Sequence, residues 1–290
     1  MELLQTALLL GIVSGLLYAL SGAGLVLIYR TSGFISFAQG DIAAVGLFTA
    51  YFVHEAGAPY IVTVLVTIAT CAVAALVVGG LIVMPIGRQG ALSAGLATIG
   101  VGILIQGIEN ATVGNSPRPF PAVTDGVAFH LGAVQIQTVH VVQILLTVTV
   151  FAAMGVAFRK LTAGVALRAL NEDAEAAELL GVPGRRLRLL SWLAAGVLAA
   201  LAGLFIVPLY TLTPTSVNAI LLFGFCAVVV GGFDSVLGAL IGGLIIGVSA
   251  NLVAAFLSPN LVTTVLYLTL LTVLLFRPHG LMGRAPLRRV

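Results

Sequence analysis

Residues Arg168 to Leu189 read RALNEDAEAAELLGVPGRRLRL. This stretch gathers Arg168, Glu172, Asp173, Glu175, Glu178, Arg185, Arg186 and Arg188 in a chain of 290 residues of which only 8% are charged. On both sides of it the sequence is apolar: 60% of the residues are hydrophobic and the mean hydropathy is +1.18. A soluble domain carries about 25% charged residues, so a water-soluble fold is excluded. Several apolar runs reach the roughly 20 residues that cross a bilayer core. The contrast between one polar island and its flanks predicts an all-α, polytopic membrane helix bundle. A β-barrel would instead show short alternating segments, and these runs are continuous.

Nine spans are expected, at about 4–29, 36–53, 60–84, 92–109, 138–158, 190–209, 217–232, 237–256 and 261–276. The run 217–232 is short and glycine-rich, so the expected count is about 8–9. The start, MELLQTALLLGIVSGLLYAL, has no basic n-region of a secretory signal, so its span reads as retained. Lys and Arg concentrate in loops that remain cytoplasmic. With the N-terminus outside and the C-terminus inside, twelve of the thirteen basic residues face the cytoplasm. They are Arg30, Arg88, Arg159, Lys160, Arg168, Arg185, Arg186, Arg188, Arg277, Arg284, Arg288 and Arg289, and only Arg118 is external. The basic balance thus marks topology and does not call for nucleic acid. Cys71 and Cys226 both fall inside apolar runs, so no disulfide framework is indicated.

Small residues four apart let membrane helices approach closely, and Gly11/Gly15, Gly238/Gly242 and Gly243/Gly247 have that spacing. They speak for packing and carry no activity. Between the first two spans lies RTSGFISFAQGDIAAVG, Arg30 to Gly46, where Ser36, Gln39 and Asp41 meet Gly33 and Gly40. It reads either as a turn with Ser36 or Asp41 as N-cap, or as a broken helix lining a substrate pathway. The long segment at about 110–137 is expected outside. Pro117, Pro119 and Pro121 stiffen its first half, and VAFHLGAVQIQ alternates as a short hairpin around Gly132. It is either a connector or a contact for an external partner.

The chain lacks the parts of a self-powered pump. A phosphate-cradling loop ends in Gly-Lys-Ser/Thr, and the single lysine, Lys160, follows Arg159. His54, His130, His140 and His279 have no metal-binding spacing, and GNSP around Ser116 lacks the strand–turn–helix frame of a nucleophile. No catalytic residue is expected. Within the spans, Asp41 and Glu109 are the ionisable candidates. Such groups are functional hypotheses by default, although both lie near an interface where water can solvate them.

The island itself has an internal order. Leu167, Leu170, Ala174, Ala177 and Leu180 or Gly181 recur at helical steps, which predicts one amphipathic helix over 165–180. Glu172, Asp173, Glu175 and Glu178 lie around its polar side. Gly181 ends it, Pro183–Gly184 turns the chain, and Arg185, Arg186 and Arg188 anchor the next span. A helix resting on lipid is normally basic on its polar face. Four carboxylates suit a protein partner better.

The segment EAAELLG, Glu175 to Gly181, resembles the E-A-A-x-x-x-G loop by which permeases of ATP-binding-cassette (ABC) importers dock on their ATP-binding subunits. More narrowly, ALRALNEDAEAAELLGVPGRRLRLLSWLAAGVLAALAGL resembles the coupling segment of the branched-chain amino acid permeases. YALSGAGLVLIYRTSGFISFAQGDIAAVGLF, VVVGGFDSVLGALIGGLIIG and LLFRPHGLMG resemble further marks of that family, in the same order along the chain.

The resemblance implies a single permease domain over 1–290 with a cytoplasmic coupling segment at about 159–189, in a bacterial inner membrane. Glu172, Glu175, Ala176, Ala177, Glu178 and Gly181 would be the residues that couple it to the ATPase. ATP and Mg would be bound by that partner and no cofactor by this chain. The other expected partners are a second permease, either a paralogue or a copy of itself, an external solute-binding protein and membrane lipid. The leading substrate is branched-chain amino acids, with urea, short amides or small organic and aromatic acids as the alternative, and a secondary carrier or channel as the reading of another class. Ser36, Gln39, Asp41 and Glu109 are the candidate pathway residues. Departures from the family pattern are Gln39 where His is common, Asp41 where Glu is common, and Asp234, Ser235 and Leu237 where Gly-Ser and Pro are usual.

Overall fold

The computed structural model describes residues 2–120, 126–131, 134–214 and 216–283, so Pro121, Gly132, Arg284, Arg288 and Arg289 lie outside the described residues. Apolar helices stand at all nine expected places. They are α1 (Glu2–Ser32), α2 (Gln39–Glu55), α3 (Tyr60–Val77), α5 (Ala91–Thr112), α6 (Thr138–Lys160), α9 (Gly184–Tyr210), α10 (Ser216–Gly231), α11 (Val236–Phe256) and α12 (Val262–Phe276). Helix α3 runs on through a π-helical turn, Val78–Val83, into the short α4 (Met84–Gly87). Seven helices among the described residues are long and apolar enough to cross a membrane. Helices α2 and α10, with 17 and 16 residues, fall short. At 1.5 Å per residue they reach only about 25 Å, less than the roughly 30 Å hydrocarbon core.

Contacts sort the chain into two compact units. The first comprises Met1–Val26, Thr124–Ala152 and Leu222–Val290. Its centre is the crossing of α1 with α11. A Cβ at Gly15 would lie 2.7 Å from the Gly243 carbonyl oxygen, and one at Gly11 would lie 2.7 Å from Val248 Cα. Both helices need glycine there because their backbones touch. Beside this contact Asn251 Nδ2 donates to Ser14 Oγ at 3.3 Å, and Gln143 Nε2 on α6 donates to the Val13 carbonyl at 2.6 Å. Tyr18 stacks on Phe223 with ring centroids 4.5 Å apart. Ser235 caps α11 by accepting from the Gly238 amide at 2.9 Å. The alternating VAFHLGAVQIQ stretch forms the antiparallel strands β1 (Val127–Leu131) and β2 (Val134–Gln137).

The second unit comprises Leu27–Val123 and Ala153–Leu221. Helices α2, α3 and α9 converge on Cys71, whose thiol donates to the Ile42 carbonyl at 3.4 Å. A Cβ at Gly196 would lie 2.5 Å from the Cys71 carbonyl oxygen, so the backbones of α9 and α3 meet there. Fully buried Trp192 of α9 lies against Gly79 in the π-helical turn. The chain leaves α6 over Arg30, whose guanidinium sits 4.5 Å from the Phe158 ring centroid.

Candidate functional site

The polar island folds into three helical pieces and not into the one helix expected over 165–180. These are α7 (Thr162–Glu172), α8 (Ala174–Leu179) and the first turns of α9. The break is at Asp173, which is extended (φ −153°, ψ 102°) and accepts from the amides of Glu175 at 3.1 Å and Ala176 at 3.0 Å. Aspartate gains more by capping amides at a helix start than by sitting inside a helix. Asp173 therefore resets the helical phase instead of joining the acidic face.

That reset decides which residues point outward. Glu172, Glu175, Ala176 and Glu178 are exposed, while Ala177 is buried against Leu170 and Leu187. Leu179 and Leu180, the second of which the single-helix reading places on the inner face, are 84% and 87% exposed. Gly181 closes α8 at φ +87°, a left-handed conformation that strains any residue with a Cβ. Its amide donates to the Glu178 carbonyl at 3.0 Å, and that of Val182 to the Ala177 carbonyl at 3.0 Å. Arg188 Nη2 donates to Glu178 Oε1 at 2.6 Å, fastening α8 to α9. The result is a six-residue helix presented on a braced elbow, with two leucines and two carboxylates facing out. Sequence reasoning reads Asp173 as part of the acidic face and Arg188 as a span anchor, and misses their roles as cap and brace.

The four pathway candidates share burial but not a single cluster. Asp41 in the first turn of α2 accepts from Gln106 Nε2 of α5 at 3.0 Å. Gly102, one turn earlier on α5, has no room for a Cβ beside the Asp41 carboxylate. Glu109 follows Gln106 on the same face of α5. It is 6% exposed, and neither of its carboxylate oxygens has a hydrogen-bond partner among the described residues. Further along that face, Thr98 Oγ1 accepts from the Phe37 amide at 3.1 Å. Gln39 turns elsewhere and donates through Nε2 to the Ala195 carbonyl of α9 at 2.8 Å. Ser36 is fully buried, and its hydroxyl finds no partner among the described residues.

Neither Ser36 nor Asp41 is the N-cap that a simple turn would need. That position is Ala38, without a side-chain cap. Thr98, Gln106 and Glu109 form a polar seam along one face of α5, with Gln106 against Asp41 of α2 and Thr98 against the preceding Phe37. Their spacing of eight and three residues on one helical face was the signal available in the sequence.

Over residues 7–275 the chain matches the family described as "Branched-chain amino acid transport system / permease component". It is 28% identical to the high-affinity branched-chain amino acid transport system permease protein LivH of Escherichia coli, covering 97% of this chain and 96% of that one. It is 29% identical to the probable branched-chain amino acid transport permease protein LivH of Methanocaldococcus jannaschii, with 92% and 89% covered. To the permease protein BraD of Pseudomonas aeruginosa it is 26% identical, with 97% and 96% covered. The solved structure of PsaBC from Streptococcus pneumoniae in complex with Fab shares the fold, with a TM-score of 0.52 at 14% identity, covering 94% of this chain and 91% of that one. A polytopic helix bundle, a braced α8 elbow and a match spanning nearly the whole sequence converge on one assignment: the chain belongs to the branched-chain amino acid transport system permease family.

Proposed function

We propose that this chain is the membrane permease subunit of an ABC importer for branched-chain amino acids, driven by a separate cytoplasmic ATPase that binds ATP and Mg. An external solute-binding protein delivers the substrate, and a second permease, a paralogue or a copy of this chain, completes the pathway. The N-terminus lies outside and the C-terminus inside, the arrangement that the positive-inside bias favours.

The observation that carries this reading is α8. The two leucines at its end, Leu179 and Leu180, are almost wholly exposed, which packing within an isolated subunit does not explain. Capped by Asp173, closed by Gly181 and braced by Arg188, α8 supplies a rigid lever for a partner's groove. Glu175 sets the charge of the contact, Glu178 ties the lever to Arg188, Ala176 leaves room for close approach, and Ala177 holds the lever to α7 and α9. The Asp41–Gln106–Glu109 seam is the polar element of the unit through which movement of that lever reaches the spans.

The test is uptake of labelled leucine in cells carrying the whole importer. Glu175→Lys and Gly181→Leu should abolish ATP-dependent uptake while the chain still inserts in the membrane. Normal uptake by both variants overturns the coupling role of α8. Uptake of urea or an amide in place of leucine overturns the substrate and leaves the coupling role standing.

A further inference from the structure

A second feature of the Leu27–Val123 and Ala153–Leu221 unit lies beneath the elbow. A cavity of about 970 Å³ opens where α1 and α4 end and α5 and α9 begin. Its lining includes Arg88, Arg185, Arg186 and Arg188 against the single carboxylate of Glu178. Glu178 is already taken by Arg188 at 2.6 Å. Among the described residues, Arg88, Arg185 and Arg186 have no ion-pair partner. Three arginines without a counter-charge line one cavity, and like charges gathered there favour a bound anion.

Two further donors point the same way. Helix α9 starts at Gly184 behind Pro183, which provides no side-chain cap. The amides of Arg185 and Arg186 find no acceptor among the described residues. A helix N-terminus of this kind attracts anions through its free amides and dipole. Trp192, two turns on, also lines the cavity. It is fully buried, and its indole N–H has no acceptor among the described residues. A buried donor without a partner costs free energy, and a bound oxyanion would supply the missing acceptor. The remaining wall, with Phe34, Val83 and Met84, is apolar.

We propose that this cavity is a binding site for a phosphate group, carried by an anionic phospholipid headgroup or by a soluble phosphate. Arg88, Arg185 and Arg186 form its cationic rim. The guanidinium fork matches phosphate oxygens two at a time, and basic pockets at the cytoplasmic ends of membrane helices suit anionic headgroups. The site needs no ATPase and does not depend on α8 as a lever.

The experiment uses the purified full-length chain in mild detergent. Native mass spectrometry measures retention of dioleoylphosphatidylglycerol against dioleoylphosphatidylcholine, and equilibrium dialysis measures binding of radiolabelled inorganic phosphate. Arg185→Gln combined with Arg186→Gln should weaken the bound probe by roughly tenfold or more, since each charged hydrogen bond lost is worth about that factor. Arg159→Gln combined with Lys160→Gln removes equal charge from exposed residues outside the cavity and should leave binding unchanged. Trp192→Phe keeps an aromatic ring, though a smaller one, removes the N–H and should weaken binding with helix content intact. Retention of the glycerol lipid alone identifies a headgroup site, and saturable phosphate binding alone identifies a soluble ligand. Wild-type chain that binds neither probe above the choline lipid overturns the proposal. So does an equal loss in the Arg159 and Lys160 variant.

Discussion

Arg188 of α9 holds Glu178 of α8 through a 2.6 Å hydrogen-bonded ion pair. Both side chains are partly open to water, at 29% and 47% exposure, so the pair contributes only about 0–1 kcal/mol to stability. Its importance is geometric, because it ties the last turn of α8 to a long, mostly buried helix. Arg188→Gln should therefore change thermal stability little and lower ATP-dependent uptake several-fold. The charge swap Glu178→Arg with Arg188→Glu should recover most of that loss. A swap no better than the single variant would show that the contact does not orient the lever.

Leu180 is 87% exposed and Leu179 84%, so neither supports the fold of the isolated chain. Leu180→Glu should leave the unfolding midpoint of the purified chain unchanged. The same substitution should abolish uptake in the assembled importer. A lowered midpoint would place Leu180 in the core instead of at a partner.

At the α1–α11 crossing the glycines are required by contact distance. Gly15→Leu places its Cβ 2.7 Å from the Gly243 carbonyl oxygen, and overpacking of this kind costs about 1–3 kcal/mol or more. Gly155 in α6 has nothing within 4 Å of its Cβ position. Gly155→Ala should be neutral or stabilising by up to about 1 kcal/mol, because alanine is the better helix former. Thermal unfolding of both variants in detergent checks the contrast, and equal behaviour would refute the crossing.

Gln106 Nε2 donates to Asp41 Oδ1 at 3.0 Å inside the membrane unit. Gln106→Leu removes this donor from a buried carboxylate and should cost about 1–3 kcal/mol. The loss should fall in the Asp41→Asn background, where the carboxylate charge is gone. Equal losses in both backgrounds would show that the hydrogen bond is not what matters.

The spans were legible in the sequence because length and apolarity alone determine them, and the glycine pairs announced close helix packing by their spacing, though not that Gly11 and Gly15 meet Gly243 and Gly247. The coupling segment was legible as a polar island, but its shape was not. A run of Ala, Leu and Glu from 165 to 180 has helical period throughout, and nothing in that period shows that Asp173 spends its side chain on two amides. Once it does, Ala177 keeps the inward place that its period assigns, while Leu180 turns outward. Asp41 and Glu109 were legible as isolated charges. Their relation to Gln106 depends on how α2 and α5 pack, which no local pattern states. Gln39, chosen as a pathway residue, is engaged with the Ala195 carbonyl, a contact 156 residues away in sequence.

The most direct measurement is the ATP hydrolysis that accompanies this chain when it is isolated from its native membrane in mild detergent. The account predicts ATPase activity with the wild-type chain and its loss from the preparation with Glu175→Lys, while the yield of the chain is unchanged. A chain that comes out without any ATPase and carries leucine into liposomes without ATP would contradict it.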